Sequence, residues 1–472
     1  MSSAVPILTP TELRAAREPP AGFTLALPGR APLVAEQIYR HLPGRRLVFR
    51  ARSGADTLLI KLFFRRRDCR RERAGLARLR AAGIPAPALC WQFAAAEAAL
   101  LAIEFLPDAH SLAQRLRTAP SADADIAAAL ALLGTLHRAG LIQTDPHPDN
   151  FLFWGAAPRI IDGAGIRPAR RARARHANLA LFLAQFEPLQ DRHLPRLLPA
   201  YGAPLPELAA LARSVARARH RRLRNYRRKS LRTCTEFVAE RSWHHFAVRR
   251  RECADARFLD LLANPDAALI GAPRLKDGNS ATVVRVRCGS ADLVVKRYNL
   301  KDWRHALRRA LRPSRAWVSW RNANTLAHIG VPTPRALALR EERRGPLRRS
   351  AYLVSEASAG VSLQDWVEAR GTGELPAWLD RALFDVLAAL AAARISHGDL
   401  KASNFLVDEA AQKLLLIDLD AMRLHRSGWR FQRARRRDLA RFLANWDGEL
   451  RTHFARLLAP LARSEPHRGQ EP

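Results

Sequence analysis

The chain of 472 residues is 48% apolar and carries a formal net charge of +35. This length exceeds one hydrophobic core and favours two domains, which we place at residues 1–235 and 236–472. No apolar run approaches the roughly 18 residues of a membrane span, and the first residues lack the pattern of a secretory signal. The five cysteines form no C-x-x-C pair, which is typical of reduced thiols. We therefore expect a folded, cytoplasmic, two-domain protein.

The predicted elements of the first half are, in chain order, a loosely structured start with a few short elements at 1–40, a hairpin at 45–52 and 56–63, a helix at 66–82, a strand at 99–106 and a helix at 122–138. Glu72 lies on the apolar face of the helix with Leu76 and Leu79. A carboxylate there needs a partner, and we expect it to be Lys61 on the preceding strand. The alternative places Glu72 at the solvent edge of that face.

The second half repeats this order. Its predicted elements are a strand–turn–strand at 274–286 with Gly278 and Asn279 at the tip, a strand at 291–296, a Trp/Arg-rich helix before Gly330, a strand at 350–357 and a helix at 383–390. G-I-P-A-P and G-V-P-T-P follow the two matching helices, which favours a duplication. The predicted fold class is α+β, with a β-rich part followed by a helical part in each domain. Between the halves, the acid-free run 208–235 predicts a helix that closes the first domain with its basic face exposed.

One pattern of polar residues occurs twice. Asp145 is followed by Asn150 and then, after a short apolar strand, by Asp162. Asp399, Asn404 and Asp418 repeat that order about 254 residues later. An Asp-x4-Asn pair occurs by chance in many proteins, but two complete sets, each behind a strand lysine, indicate phosphoryl transfer.

The strand lysines are informative because only seven of the 79 basic residues are lysine. Lys61 and Lys296 each end an apolar strand upstream of their own loop. A compact ammonium fits between nucleotide phosphates better than a forked guanidinium does. The alternative is an ordinary surface lysine at the end of a strand.

Phosphoryl transfer assigns each polar residue a role. Asp145 and Asp399 would orient the acceptor hydroxyl, and Lys401 would neutralise charge on the transferred group, a place held by His147 in the first set. Metal ligands would be Asn150 with Asp162 and Asn404 with Asp418, whose hard oxygens suit Mg²⁺. ATP would lie against Lys61 with Glu72 in the first domain, and against Lys296 with the Gly278 turn in the second.

Each set departs from the full pattern. The first has Gln143 where the second has His397, and neither Gly44 nor Gly54 makes a convincing phosphate-covering turn. The second has no Glu between Lys296 and Glu341, so Asn322 and Asn324 are the nearest polar substitutes for the helix carboxylate. We expect catalysis mainly in the second domain, although two active domains are compatible with the sequence.

The residues around the second set resemble a known protein family. H-G-D-L-K-A-S-N-F-L-V at 397–407 and L-L-L-I-D-L-D at 414–420 resemble the bacterial lipopolysaccharide core kinases, which phosphorylate heptose or Kdo sugars. The first set, Q-T-D-P-H-P-D-N-F-L, looks like a more distant relative and is also similar to atypical kinases linked to coenzyme Q synthesis. The resemblance covers about 45–440. It implies tandem protein-kinase-like domains, ATP, Mg²⁺ and a lipopolysaccharide core precursor at the cytoplasmic face of the inner membrane.

The net charge is consistent with such an anionic, lipid-anchored substrate or with peripheral attachment to an anionic membrane surface. The basic stretches lie at 213–232, 303–321 and 426–441. Trp303, Trp317 and Trp320 within the second stretch suit a membrane interface or, alternatively, the core of a helix. No DNA- or RNA-reading signature is present, so we do not expect nucleic acid as a partner. The sequence does not indicate an oligomeric state.

Two other functions fit the pattern. The missing helix Glu and the altered His favour a pseudokinase scaffold of core assembly, whereas the two full sets of Asp, Asn and Asp argue against it. A small-molecule kinase of the antibiotic-modifying type shares the H-G-D-L loop, but such enzymes rarely need so positive a surface.

Overall fold

Two units, each containing a seven-stranded sheet and a set of helices, make up the fold. The computed structural model describes residues 5–16, 18–95, 97–118, 123–278, 281–299, 312–371 and 375–463. The first unit comprises 1–185 and 192–215, and the second comprises 186–191 and 216–472. The predicted α+β class is confirmed.

Among its described residues, the first unit contains six complete helices and part of a seventh. The helices are α1 (Pro10–Ala15), α2 (Arg66–Ala81), α3 (Leu112–Thr118), α4 (Asp123–Arg138), α5 (Ala172–Leu183), α6 (Leu194–Leu197) and α7 (Leu208–Lys229). The strands are β1 (Ile7–Leu8), β2 (Phe23–Leu25), β3 (Leu33–Leu42), β4 (Arg46–Ser53), β5 (Asp56–Phe63), β6 (Leu89–Ala94), β7 (Ala99–Glu104), β8 (His110–Ser111), β9 (Leu141–Gln143), β10 (Phe151–Trp154), β11 (Ala157–Ile160) and β12 (Ile166–Pro168).

The main segment of the second unit begins within α7, at residue 216. Its further helices are α8 (Ala256–Ala263), α9 (Arg315–His328), α10 (Leu363–Arg370), α11 (Ala377–Ala392), α12 (Gly428–Leu443) and α13 (Gly448–Arg463). Its strands are β13 (Phe237–Arg241), β14 (His245–Arg250), β15 (Arg274–Gly278), β16 (Ala281–Cys288), β17 (Ala291–Tyr298), β18 (Ala336–Arg344), β19 (Leu347–Glu356), β20 (Val361–Ser362), β21 (Ile395–Ser396), β22 (Phe405–Asp408), β23 (Lys413–Leu416) and β24 (Arg423–Leu424).

The two units share a strand order. Five neighbouring strands run β3-β4-β5-β7-β6 in the first large sheet and β15-β16-β17-β19-β18 in the second. Each unit also has a three-stranded sheet, ordered β11-β10-β8 or β23-β22-β20, and a two-stranded pair. The large sheets differ at their edges, because the first is extended beside β3 and the second beside β18. The loops with the repeated polar pattern precede β10 and β22.

Alternation along β5 shows why the first large sheet forms. Leu58, Ile60 and Leu62 are buried in a core on one face of the sheet, whereas Leu59 and Phe63 pack with α2 on the other. Lys61 lies on this second face and is 7% exposed. The sheet therefore presents the lysine towards the helix that carries Glu72.

The helix α2 packs unusually closely on the chain after Asp162. A Cβ added to Gly75 would stand 1.7 Å from the carbonyl oxygen of Gly163, and one added to Gly163 would stand 2.5 Å from that of Glu72. Only glycine fits such an approach of two backbones. The helix then ends before Gly83, whose φ of +64° favours glycine.

Three expectations about these elements are corrected in part. The start at 1–40 contains the expected short elements α1, β1 and β2, but also most of the ten-residue β3. The predicted helix, α7, forms and exposes Arg213, Arg217, Arg221 and Arg228. It nevertheless buries Arg219 and Arg227, and Leu223 lies in the core of the second unit. Trp320 is fully buried in that core, which confirms the alternative of a core residue.

Trp317, one turn earlier, packs against Phe246 with ring centroids 4.8 Å apart, and Trp303 lies outside the described residues. Within the described ranges, no helix has the length and apolar character needed to cross a bilayer.

Candidate active site

The loop from Asp399 to Asn404 is closed by its own hydrogen bonds. The side-chain amide of Asn404 donates to the carbonyl oxygen of Asp399 at 2.7 Å. The backbone N–H of Ile417 donates to the carbonyl of Asn404 at 2.9 Å. Because Asp418 directly follows Ile417, these bonds bring Asp399, Asn404 and Asp418 into one assembly, as the sequence predicts.

Helix α12 anchors this loop through Asp438. Its two carboxylate oxygens accept from the backbone N–H groups of His397 and Gly398, at 2.7 and 2.9 Å. Burial raises the pKa of Asp438, although the hydrogen bonds from His397 and Gly398 oppose the rise. His397 is buried, and its Nε2 lies 3.0 Å from the carbonyl of Ile417, to which it donates. The histidine therefore ties the loop to the strand before Asp418.

Lys296 meets Asp418 directly, with 2.7 Å between Nζ and Oδ1. Burial alone would lower the pKa of Lys296, but Tyr298 and Asp418 outweigh burial and raise it. Asp418 adopts a left-handed conformation with φ of 55°, which aspartate tolerates better than most residues. The lysine is therefore held charged against this carboxylate.

Tyr298 partly replaces the helix carboxylate that the second unit lacks, because its ring contacts Lys296. Lys296 Nζ lies 5.1 Å from the centre of its ring, and the guanidinium of Arg315 lies 5.2 Å from it. The hydroxyl of Tyr298 is 2.9 Å from that of Ser319. Ser319 stands eleven residues before Gly330, as Glu72 stands before Gly83. An aromatic face thus supports two cations where the first unit uses a carboxylate.

Asn322 and Asn324 do not contact Lys296. The amide of Asn322 donates to the carbonyls of Leu419 and Met422, at 2.7 and 3.2 Å. Asn324 accepts from Arg250 at 3.0 Å. Their predicted role as substitutes for the helix carboxylate is therefore wrong, and Asn322 instead holds the 3₁₀ turn that follows Asp418.

Two cations contact Asp399. Lys401 Nζ lies 3.3 Å from Oδ2, and Arg441 of α12 binds Oδ1. Both cationic side chains are about half exposed, at 47% and 51%. The carboxylate therefore lies at the surface of the loop among positive charges, where an anionic reactant would be attracted.

The first unit builds its loop in the same way. The amide of Asn150 donates to the carbonyl of Asp145 at 2.8 Å, and the N–H of Ile161 donates to the carbonyl of Asn150 at 3.2 Å. Gln143 replaces the histidine, since its Nε2 donates to the carbonyl of Asp162 at 2.7 Å. His147 accepts from the N–H of Asp149 and lies where Lys401 lies in the second loop.

Lys61 and Glu72 form the predicted ion pair, and Glu72 is fully buried. Burial opposes ionisation of Glu72, but Lys61 outweighs it and the pKa of the carboxyl is lowered. Glu72 also accepts from the N–H groups of Gly163 and Ala164, at 3.2 and 3.0 Å. Burial, followed by the charge of Glu72, raises the pKa of Asp162.

Several residues of this site were missed by sequence analysis. Asp438 could have been found, because it is the only acid within 426–441. Tyr298, Ser319 and Arg441 gave no signal, since their roles depend on contacts across the fold. Gly278 pairs with Ala281 at the end of the β15–β16 hairpin, whereas Asn279 lies outside the described residues.

A strand lysine and an Asp–Asn loop joined to a second aspartate are typical of phosphotransferases. Residues 267–453 match the model of the lipopolysaccharide kinase (Kdo/WaaP) family. The match covers about two fifths of the chain and lies within the second unit. No match was found among curated proteins.

Proposed function

We propose that the second unit transfers the γ-phosphoryl group of ATP to a sugar hydroxyl of the lipopolysaccharide inner core. The hydrogen-bonded assembly of Asp399, Asn404 and Asp418, inside the segment that matches the lipopolysaccharide kinase family, carries this proposal. The protein-kinase-like arrangement of both units belongs to the same proposal and is supported by their shared strand order.

The residues of the second loop have the following roles. Asp399 accepts the proton of the acceptor hydroxyl as its oxygen bonds to the γ-phosphorus, and the bond from phosphorus to the bridging oxygen breaks to release ADP. Lys401 neutralises charge on the moving phosphoryl group. Lys296 binds the phosphates of the nucleotide. In the nucleotide-free site, Lys296 is paired with Asp418.

The site fits Mg²⁺. The amide nitrogen of Asn404 donates to Asp399, which leaves its oxygen to bind a cation. Asp418, which follows the residue hydrogen-bonded to the Asn404 carbonyl, would supply a carboxylate oxygen. One or two protein oxygens completed by phosphates and water are the usual set for this ion. Bound there, Mg²⁺ would neutralise charge on the phosphates.

Acceptor phosphorylation by matched variants tests the proposal. Purified protein is incubated with γ-labelled ATP and with core glycolipid from a strain that lacks the gene. We expect Asp399→Asn to lower kcat by about 10²- to 10⁴-fold, and Asp145→Asn to lower it less than about tenfold. Mass spectrometry of the core from strains carrying each variant should show the same order.

The two outcomes that contradict the proposal are distinct. If Asp145→Asn abolishes labelling and Asp399→Asn does not, the active unit is the first. If wild-type protein neither labels the acceptor nor binds ATP, a scaffold role replaces the enzymatic one.

A further inference from the structure

We propose that the first unit contains a second polyphosphate site, of the nucleoside triphosphate class, in which Arg40 and Arg46 bind phosphates together with Lys61. The site lies outside the segment that matches the kinase family, and it goes beyond the function proposed for the second unit.

The strand register places the three cations together. Arg40 of β3 pairs with Val48 of β4, and Val48 pairs with Lys61 of β5. Side chains of directly paired residues lie on the same face of a sheet. Arg46 is two residues before Val48, so it lies on that face as well. Arg40, Arg46 and Lys61 therefore share the face that Lys61 turns towards Glu72.

The carboxylates of the first loop lie opposite these cations. Burial and the neighbouring Arg46 lower the pKa of Arg40, while Asp162 and Asp145 act in the other direction. The positive charge of Arg46 also favours the ionised forms of both Glu72 and Asp162. Arg40 is thus within electrostatic range of both Asp145 and Asp162, and Arg46 is within range of Asp162.

Lys61 already has hydrogen-bond and ion-pair partners, whereas Arg40 and Arg46 have no ion-pair partner among the described residues. Its ammonium binds Glu72 and donates to the carbonyl of Ile161 at 2.8 Å. Among the described residues, neither Arg40 nor Arg46 forms an ion pair; Arg46 lies over the ring of Phe63 at 5.9 Å. Their guanidinium groups are therefore available to an anionic ligand.

The turn between β3 and β4 explains why arginines are needed. It runs through Pro43 and Gly44, and only Gly44 adopts a left-handed conformation, with φ of +63°. A glycine-rich turn binds phosphates through backbone N–H groups, but Pro43 has no N–H to donate. Side-chain donors at Arg40 and Arg46, one on each strand, would replace them.

The balance of charge indicates the form of the ligand. The three positive charges of this group, on Lys61, Arg40 and Arg46, are balanced by three carboxylates, on Glu72, Asp145 and Asp162. A triphosphate is therefore best accommodated together with a divalent cation that neutralises part of its charge. Asn150, whose amide nitrogen is held by Asp145, and Asp162 offer the oxygens for that cation. We therefore expect binding to require Mg²⁺.

Equilibrium dialysis with labelled ATP tests the inference on the full chain. Wild-type protein with Mg²⁺ should bind two nucleotides, and a chain carrying Lys296→Ala and Asp418→Asn should bind one. Adding Arg40→Ala and Arg46→Ala to that chain should weaken the remaining binding at least tenfold. Arg52→Ala is the matched control, because Arg52 lies on the same strand and face, about 20 Å from Arg46.

Three results would overturn the inference. One nucleotide bound by the wild type and none by the Lys296→Ala, Asp418→Asn chain would leave the second unit as the nucleotide site. Residual binding that survives loss of both arginines would remove them from the site. No binding by the wild type would defeat this inference and the proposed kinase function together. Circular dichroism of each variant excludes unfolding as the cause, and competition by inorganic triphosphate shows whether phosphates alone are recognised.

Discussion

Tyr298 shows how one side chain can compensate for a missing charge. Its ring lies against both Lys296 and Arg315, and a cation over an aromatic face contributes about 0.5–2 kcal/mol. We expect Tyr298→Leu to raise the KM for ATP about three- to thirtyfold, because Lys296 would lose its support. Tyr298→Phe keeps the ring and should change KM less than about threefold.

Steady-state kinetics with varied ATP separates this role from packing. If Tyr298→Leu reduced only the yield of folded protein and left KM unchanged, the tyrosine would be structural. Ser319→Ala is the matched control for the hydroxyl contact and should follow Tyr298→Phe.

His137 makes the stability of the first unit depend on pH. Burial is the main cause that lowers its pKa to about 4, and its ring lies between Tyr201 and Asn178 at 2.6 and 3.0 Å. In the unfolded chain this imidazole takes a proton near pH 6.5, whereas in the folded unit it stays neutral. Stability is therefore lost as the pH falls from about 6.5 to 4, by up to about 3 kcal/mol.

Denaturant unfolding of the full chain at pH 7 and pH 5 measures this loss. His137→Gln should be less stable at pH 7, because it disturbs a buried hydrogen-bonded site, but should show a smaller decline between the two values. An equal decline in the variant and the wild type would assign the acid sensitivity to other groups.

Among the elements, α7 differs most from its prediction. Arg227 is 9% exposed, and its guanidinium donates to Asn322 at 2.8 Å and to Thr325 at 3.0 Å. Burial, followed by the charge of Arg321, lowers the pKa of Arg227 to about 9. Through Asn322 this arginine supports the turn after Asp418.

We expect Arg227→Ala to destabilise the second unit by about 2–4 kcal/mol, because it leaves a cavity and unpaired buried groups. It should also lower kcat, since Asn322 would lose its orientation. Arg228→Ala removes the neighbouring exposed charge and should change stability by less than about 0.5 kcal/mol. Thermal unfolding and phosphate transfer are the measurements, and equal effects of the two variants would contradict the role of Arg227.

Sequence patterns predicted elements well where one periodicity dominated. The β4–β5 hairpin, α2 and α4 lie within a few residues of their predicted bounds, because apolar alternation and Gly83 mark them locally. The strands β3 and β18 were missed, since mixed polar and apolar residues there depend on neighbouring strands for their pairing. Likewise, the buried half of α7 could not be read from a run of arginines, because burial depends on which residues lie opposite.

The same distinction applies to the candidate site. The Asp–Asn loops and both lysines were recognisable because their spacing is fixed within a short stretch. Arg441 and Tyr298 were not, since each reaches the site from an element whose own sequence has no special spacing. The Lys61–Glu72 pair was predictable because helical periodicity placed a carboxylate on an apolar face.

For the whole molecule, the net charge of +35 favours attachment to anionic membranes. In α12, Trp429 is 67% exposed, and Arg430, Arg433 and Arg437 are exposed beside it at helical spacing. Each basic residue near an anionic surface contributes about 1 kcal/mol, and this attraction decays within about 8–10 Å at physiological salt. We expect binding to anionic vesicles that high salt reverses.

Vesicle sedimentation with and without anionic lipid, at about 0.1 and 1 M salt, measures this attachment. Trp429→Ala combined with Arg430→Glu and Arg433→Glu should weaken it several-fold. Trp243→Ala is the control, because Trp243 is 65% exposed but lies outside α12. Equal binding to neutral vesicles, or retention at high salt, would indicate hydrophobic insertion instead.

The glycines at 75, 163 and 165 restrict how the first unit can diverge over generations. A methyl group at Gly75 would meet the carbonyl of Gly163, and one at Gly165 would stand 1.6 Å from the side-chain oxygen of Gln143. Selection for a folded unit therefore preserves these glycines whether or not the unit retains its chemistry. Among descendants of this chain, glycine retention would report selection on the fold, whereas joint retention of Lys61, Glu72 and Asp162 would report selection on a working site.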